Sequence, residues 1–277
     1  SIKKILSRAK KMVAVHSEDE YRLNERKEEF SKKSISITDH PIVRDVKSAV
    51  QSTKRLLNVA RLSKKKIHIL HLSTADEVDL LKNNKNIATC EVTPQHLFFS
   101  SPECYEKLGS FAQMNPPIRD KSHTKGLWDG VSQGVIDVIG SDHAPHTLKE
   151  KKMKWPNSPS GLPGVQTTLY LMLHHVNKKK ISLEKVIELL SFNPAKIYKI
   201  KNKGQIKKGY DADITIVDLN KNYTIKNQDM AYKSGWTPFD GIKVKGYIYA
   251  TLVNGKIKMI DKKIIGKPDG KMVQFKK

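Results

Sequence analysis

Val135-Ile136-Asp137-Val138-Ile139-Gly140-Ser141-Asp142-His143-Ala144-Pro145-His146-Thr147 is a short apolar run that stops on a glycine, followed by an acid and two histidines. Such a run, bounded by turn residues, reads as a buried strand, and the acid just beyond it reads as the rim of a site. Asp142 can bind a metal or move a proton. His146 follows on a turn stiffened by Pro145. Working outward, Met12-Val13-Ala14-Val15-His16 and Ile67-His68-Ile69-Leu70-His71 are also apolar runs, each ending in histidine, and Ile87-Ala88-Thr89-Cys90-Glu91-Val92 is a further strand. Helical segments are expected between these strands. One lies at Ile5 to Lys11, one at 42–62 with apolar Val46, Val50, Leu56, Leu57 and Ala60, and one opens at the capping-box spacing Thr74-Ala75-Asp76-Glu77. Short strands alternating with helices predict an α/β fold with a parallel sheet.

In parallel sheets of this kind the strand C-termini gather on one face, where ligands bind. His16, His71 and Asp142 are then neighbours in prospect. Neutral imidazoles with a carboxylate suit zinc, and an open coordination position activates water. A single strand-end histidine is more often a packed core residue than a ligand. Three such ends in succession, each followed by small or polar residues (Ser17-Glu18-Asp19, Leu72-Ser73-Thr74, His143-Ala144-Pro145), bring the two readings level. Other residues read as structural. Cys90 lies inside a strand, His96 shapes the loop after it, and His174-His175 falls in a helical segment. His143 is as readily structural as a supporting group beside Asp142. Lys203-Gly204 to Gly209 is a turn cluster without the GK[ST] of a phosphate loop.

The 277 residues are 38% hydrophobic, enough for one large domain or one domain with a small appendage. The formal charge of +23 raises the question of nucleic acid. However, only seven of the 51 basic residues are arginine, and the lysines are scattered without interleaved aromatics. That pattern fits a solvated surface, which also draws in a small anionic substrate, and not nucleic-acid recognition. No apolar run approaches the ~20 residues of a membrane span. Ser1-Ile2-Lys3-Lys4 leads into an amphipathic segment, so no secretory leader is expected. With two cysteines and no CxxC pair, a reducing, cytoplasmic setting is the expectation.

After helices near 167–177 and 183–190 the texture changes. A turn-rich stretch precedes the alternating Ile214-Thr215-Ile216-Val217-Asp218-Leu219. Tyr247 to Val253, Asn254-Gly255 and Lys256-Ile257 read as a hairpin with a two-residue turn. The expected division is therefore 1–199, α/β, and 200–277, a small C-terminal β appendage.

Several stretches, in order, resemble the dihydroorotases of the amidohydrolase superfamily. Val15-His16-Ser17-Glu18-Asp19 resembles their VHAED segment, and His68-Ile69-Leu70-His71-Leu72-Ser73-Thr74 their HxxHxST strand end. Thr89-Cys90-Glu91-Val92-Thr93-Pro94-Gln95-His96-Leu97 resembles TCEVTPHHL, with Gln95 for histidine. Met114-Asn115-Pro116-Pro117-Ile118-Arg119 resembles NPPLR, and Gly161-Leu162-Pro163-Gly164-Val165-Gln166-Thr167 resembles GLPGLET, with Gln166 for glutamate. Trp236 to Gly241 and Val253-Asn254-Gly255 resemble the tail. The Gly140–Thr147 stretch resembles the last barrel strand.

The resemblance implies a TIM-like (β/α)8 metal-dependent hydrolase barrel of which this chain holds part, strands five to eight, with the β appendage. It implies hydrolysis of L-dihydroorotate to N-carbamoyl-L-aspartate, reversibly, in pyrimidine synthesis, by attack of a metal-activated hydroxide. His16 and His71 match ligands of the second of two zinc ions. Asp142 matches the ligand of the first, which also shuttles the proton. Asn115, His146 and backbone groups at Pro163 and Gly164 match substrate contacts. A homodimer or an aspartate carbamoyltransferase partner is compatible with it. The family's first-strand HxH pair and its bridging fourth-strand ligand have no match here. The expectation is thus a chain short of about half a barrel, which alone holds at most one zinc weakly and is inactive. The rivals are a hydantoinase- or allantoinase-type cyclic amidohydrolase, and a metal-free scaffold.

Overall fold

The computed structural model describes residues 2–276. Ser1 and Lys277, the end points of the expected division, lie outside the described residues. The chain forms two compact units, Ser1–Gly164 and Val165–Lys277.

The first unit carries a four-stranded sheet in the order β1 (Val13–Val15), β2 (Ile67–Ile69), β3 (Ala88–Val92), β4 (Val138–Ile139). Every pairing is parallel, Val15 opposite Ile69, Ile69 opposite Cys90, and Val92 opposite Ile139. Parallel neighbours require crossovers, and helices supply them: Val46–Leu62 before β2, Ala75–Lys82 before β3 and Lys121–Ser132 before β4. Helix Val46–Leu62 buries Ala49, Thr53, Leu56, Leu57 and Ala60, a stripe at helical spacing. It starts at Val46 and not at 42, because Asp45 caps it by accepting from the Ser48 amide, while His40–Val43 forms a separate turn. Thr74 caps Ala75–Lys82 as its spacing predicts. β2 and β3 bury Ile67, Ile69, Cys90 and Val92 completely or nearly so. The core thus lies between the sheet and these helices.

Three local readings change. The first helix is Ile2–Arg8, ahead of the expected 5–11. β4 covers only the end of Val135–Ile139: Val135 and Ile136 instead donate to the Gly130 carbonyl, and Asp137 Oδ2 takes the Cys90 amide that a longer ladder would use. Helix Glu20–Ser31 joins the predicted elements.

The second unit contains an antiparallel sheet in the order β5 (Ile214–Thr224), β6 (Lys243–Val253), β7 (Lys256–Ile260), β8 (Lys263–Ile264). Asn254 and Gly255 both have positive φ, 50° and 75°, the geometry of the predicted two-residue hairpin turn. Helices Thr168–Asn177 and Leu183–Ile187 belong to this unit, although the sequence reading groups them with the preceding strands. Thr168–Asn177 packs on β6 at Gly246 (φ 111°), where a Cβ would fall on the Leu173 side chain. No described helix is long and apolar enough to cross a membrane.

Candidate metal and catalytic site

The parallel register sets the site. Val15 and Ile69 are partners at the ends of β1 and β2, so the residues that follow leave the sheet at the same edge. There His16 Nδ1 and His71 Nε2 lie 3.1 Å apart, their rings nearly perpendicular at 74°. Two nitrogens on a tetrahedral zinc at about 2.0–2.1 Å are separated by roughly 3.3 Å, so the pair fits such an ion. Asp142 leaves β4 at the corresponding end. His71 and Asp142 both have positive φ, 32° and 41°. For residues with a side chain this conformation costs about 1–3 kcal/mol and collects where function demands it.

Burial lowers the His71 pKa below the ordinary imidazole value, with the Asp142 charge opposing it and His16 adding to it. The imidazole is thereby kept neutral, the form that binds metal. Burial raises the Asp142 pKa, against the pull of His71, and the Glu91 charge raises it further. The structure therefore couples Asp142 to His71 electrostatically. Among the described residues no three His, Cys, Asp or Glu side chains converge closely enough to hold a metal ion. The described pair is His16 with His71.

The residues that the resemblance matches to substrate contacts lie outside the strands, in loops. Asn115 Oδ1 is buried and has no hydrogen-bond partner. His146 Nε2 lies 3.2 Å from the Ser160 carbonyl oxygen. The Gly164 amide donates to His143 Nδ1 at 3.1 Å, so this N–H is already engaged and His143 acquires a supporting role. A Cβ on Gly164 would meet the Ser141 carbonyl and Gln95 Nε2 at 2.5 Å, which explains glycine there. Gln95 Nε2 donates to the Ser141 carbonyl. His96 is buried between Thr93 Oγ1 and the Pro116 carbonyl oxygen, bracing the Asn115 loop. Cys90 is fully buried, and burial pushes its thiol pKa up, as a core residue requires.

Beneath the site runs a polar network that the sequence reading did not assign. Arg119 donates to Ser73 Oγ and to the Arg44 and Asp45 carbonyls. Arg44 in turn pairs with both oxygens of Glu18, and Glu18 Oε2 lies 3.1 Å from His16 Nε2. Buried Glu77 accepts from Thr53, Thr74 and the Ser73 amide, and Thr53 accepts from Ser17. Burial alone would raise the Glu18 pKa, but its close contacts with His16 and Arg44 outweigh it and hold the carboxyl at about 2. One signal was present in the sequence. Glu18 is two residues from His16, the spacing that puts both side chains on one face of extended backbone.

The amidohydrolase family model matches residues 1–258. The chain is 41% identical to the dihydroorotase of Pyrococcus abyssi over 225 residues, 81% of this chain and 54% of that protein. It is 36% identical to the dihydroorotase of Methanosarcina mazei over 277 aligned residues, covering 96% of this chain and 60% of that one. Among solved structures, the L-hydantoinase of Arthrobacter aurescens superposes with a TM-score of 0.89 at 26% identity, over 92% of this chain and 58% of that one. The dihydropyrimidinase of Brevibacillus agri NCHU1002 gives 0.89 at 25% identity, over 96% and 61%. The chain thus spans little more than half the length of the relatives it matches.

Proposed function

Because the chain belongs to the amidohydrolase family, we propose that it carries the second-metal histidines and the proton-handling aspartate of a dihydroorotase. The observation that carries this reading is the 3.1 Å convergence of His16 Nδ1 and His71 Nε2 at adjacent strand ends, with Asp142 beyond β4. The four parallel strands are read as strands five to eight of the family's barrel, and the antiparallel sheet as its C-terminal appendage. The identity to dihydroorotases favours dihydroorotate over hydantoin as substrate, although the structural neighbours reported are an L-hydantoinase and a dihydropyrimidinase.

His16 and His71 would hold one zinc, and Asp142 would contribute to the other. Bound zinc supplies a polarised carbonyl and a water that ionises near neutral pH. The remaining work falls to the chain. Asp142, its pKa raised by burial, is suited to take a proton and return it to the leaving ring nitrogen. Asn115 Oδ1, buried and unpartnered, offers an acceptor that a ring N–H would fill. His146 and the Pro163-Gly164 turn close the substrate side.

Titrating the zinc-loaded full-length protein with N-carbamoyl-L-aspartate, with hydantoin and allantoin as competitors, tests the substrate class. Preference for carbamoyl aspartate is expected, with roughly tenfold weaker binding in His146→Ala, about 1.4 kcal/mol. In ring opening by the full-length enzyme, Asp142→Asn should lower kcat by ~10²–10⁴. Preference for hydantoin would replace this reading with the hydantoinase type.

A further inference from the structure

We propose that Lys151 is a positioning residue for the substrate side, its side chain tying the segment that carries Asn115 to the segment that carries Pro163 and Gly164. This rests on the reading of Asn115, His146, Pro163 and Gly164 as substrate contacts. Lys151 closes the short helix Leu148–Lys151, which starts two residues after His146. It is fully buried. Its Nζ donates to the Gln113 carbonyl at 3.1 Å and to the Pro159 carbonyl at 2.8 Å. Gln113 stands two residues before Asn115, and Pro159 two residues before Gly161, where the Gly161–Gly164 stretch begins. The Ser110 hydroxyl donates to the Lys151 carbonyl, so the helix end is itself held.

The contacts around Nζ repeat the same tie. The Gly161 amide donates to the Gln113 carbonyl at 2.9 Å. Gln113 Nε2 donates to the Ser158 carbonyl at 2.9 Å and to Ser160 Oγ at 3.0 Å. The Ser160 carbonyl oxygen is the atom that lies 3.2 Å from His146 Nε2. The segments of Asn115, of His146 and of Gly161–Gly164 therefore meet around one side chain. Taking an ammonium out of water is costly unless its N–H groups find acceptors. An apolar side chain would fill the space without that cost, but would offer the two carbonyls no donor. Burial lowers the Lys151 pKa to about 8, so the ammonium with its three N–H groups persists at neutral pH. Several donors on one long stem can serve carbonyls of two separate segments and so fix their spacing.

Steady-state ring opening of dihydroorotate by the full-length enzyme tests this. Lys151→Met keeps most of the stem and removes the N–H donors. KM should rise about tenfold, inside the ~10² that a misplacement remote from the chemistry can cost, with kcat within about threefold of wild type. Lys151→Arg, which keeps a cation and its donors, should recover most of the loss. Combining Lys151→Met with His146→Ala should raise KM by less than the product of the two single effects, because both act on one set of contacts. A purely structural lysine would lower the urea midpoint and leave KM where it was. That result, or effects on KM that simply multiply, would overturn the proposal. Should Lys151→Met fail to fold, Lys151→Gln keeps an amide donor on a shorter stem and is judged by the same KM and the same coupling. Asn115→Ala and His146→Ala that leave KM unmoved would sink the substrate-side reading. Raised KM in those two with wild-type KM in Lys151→Met would remove the role given to Lys151 alone.

Discussion

At the strand ends of the first unit, charge is buried. Glu18, Glu77 and Arg119 are almost removed from solvent, and each is satisfied by named donors or acceptors. The antiparallel sheet of the second unit is built differently. Tyr170, Tyr223 and Tyr247 cluster with ring centroids 4.7–6.1 Å apart, and the charges lie at its rim: Lys221 over the Tyr247 ring, Lys262 beside Asp229. Buried charge is costly and brings little net stability over a well-packed apolar core. Its concentration under His16 and His71 therefore points to geometry as its purpose. The second sheet, with no such constellation, is held by apolar and aromatic burial with rim charges of small effect.

The largest expected effect follows from removing one member of the buried network. Arg119→Leu leaves Ser73 Oγ and the Arg44 and Asp45 carbonyls without their donor, and Glu77 without the buried cation that favours its charge. Breaking such a network costs about 3–5 kcal/mol. Urea denaturation of the variant should show that loss. A loss under about 1 kcal/mol would mean that the network is no more than rim-like.

Acid should also separate the units. Burial lowers the pKa of His40 to about 4 and of His96 to about 3, both in the first unit, and of His175 to about 4 in the second. Each has a folded pKa below its unfolded one, so between pH 6.5 and about 4 the unfolded chain binds more protons. Stability is present above that window and is lost as pH falls through it. Each histidine contributes a slope of about 1.4 kcal/mol per pH unit. His40→Asn should reduce the slope of urea stability against pH by about that amount. An unchanged slope would remove His40 from the account.

Legibility in the sequence followed the physics of each element. The strand ends and the Thr74 cap were readable because apolar runs and cap spacing are local signals. Helix Glu20–Ser31 was not, because it buries only Leu23 and so has no apolar stripe. Helix Lys121–Ser132 was hidden by Gly126 and Gly130, each worth about 1 kcal/mol against a helix. Their use is tertiary: a Cβ at Gly126 would fall on Ala75, and one at Gly130 on the Val78 side chain. The pairing of His16 with His71 was readable from strand order. The network beneath it joins residues from Ser17 to Arg119, and separations of that length leave no periodic trace. Asp142 was placed at the correct strand end, but sequence spacing carried no information on how near its carboxylate approaches the two imidazoles.

The smallest expected effect belongs to the rim of the second sheet. Lys221 Nζ stands 3.8 Å from the centroid of the Tyr247 ring and 3.5 Å from Asp261 Oδ1. Its side chain is 46% exposed and that of Asp261 57%. Water competes for both charges, and salt screens what remains. Tyr247 keeps its own bond to Asp261 whether or not the lysine is present. Lys221→Met retains the aliphatic stem over the ring and removes only the ammonium, so the loss should be about 0.5–1 kcal/mol, the range for an exposed cation over an aromatic face. Lys221→Arg should restore it, since guanidinium also sits well on a ring. Urea midpoints at low and at high salt measure both variants, and the Lys221→Met deficit should shrink at high salt. A deficit of 3 kcal/mol that salt leaves untouched would place Lys221 with Arg119, and the contrast between buried and rim charge would no longer distinguish the two units.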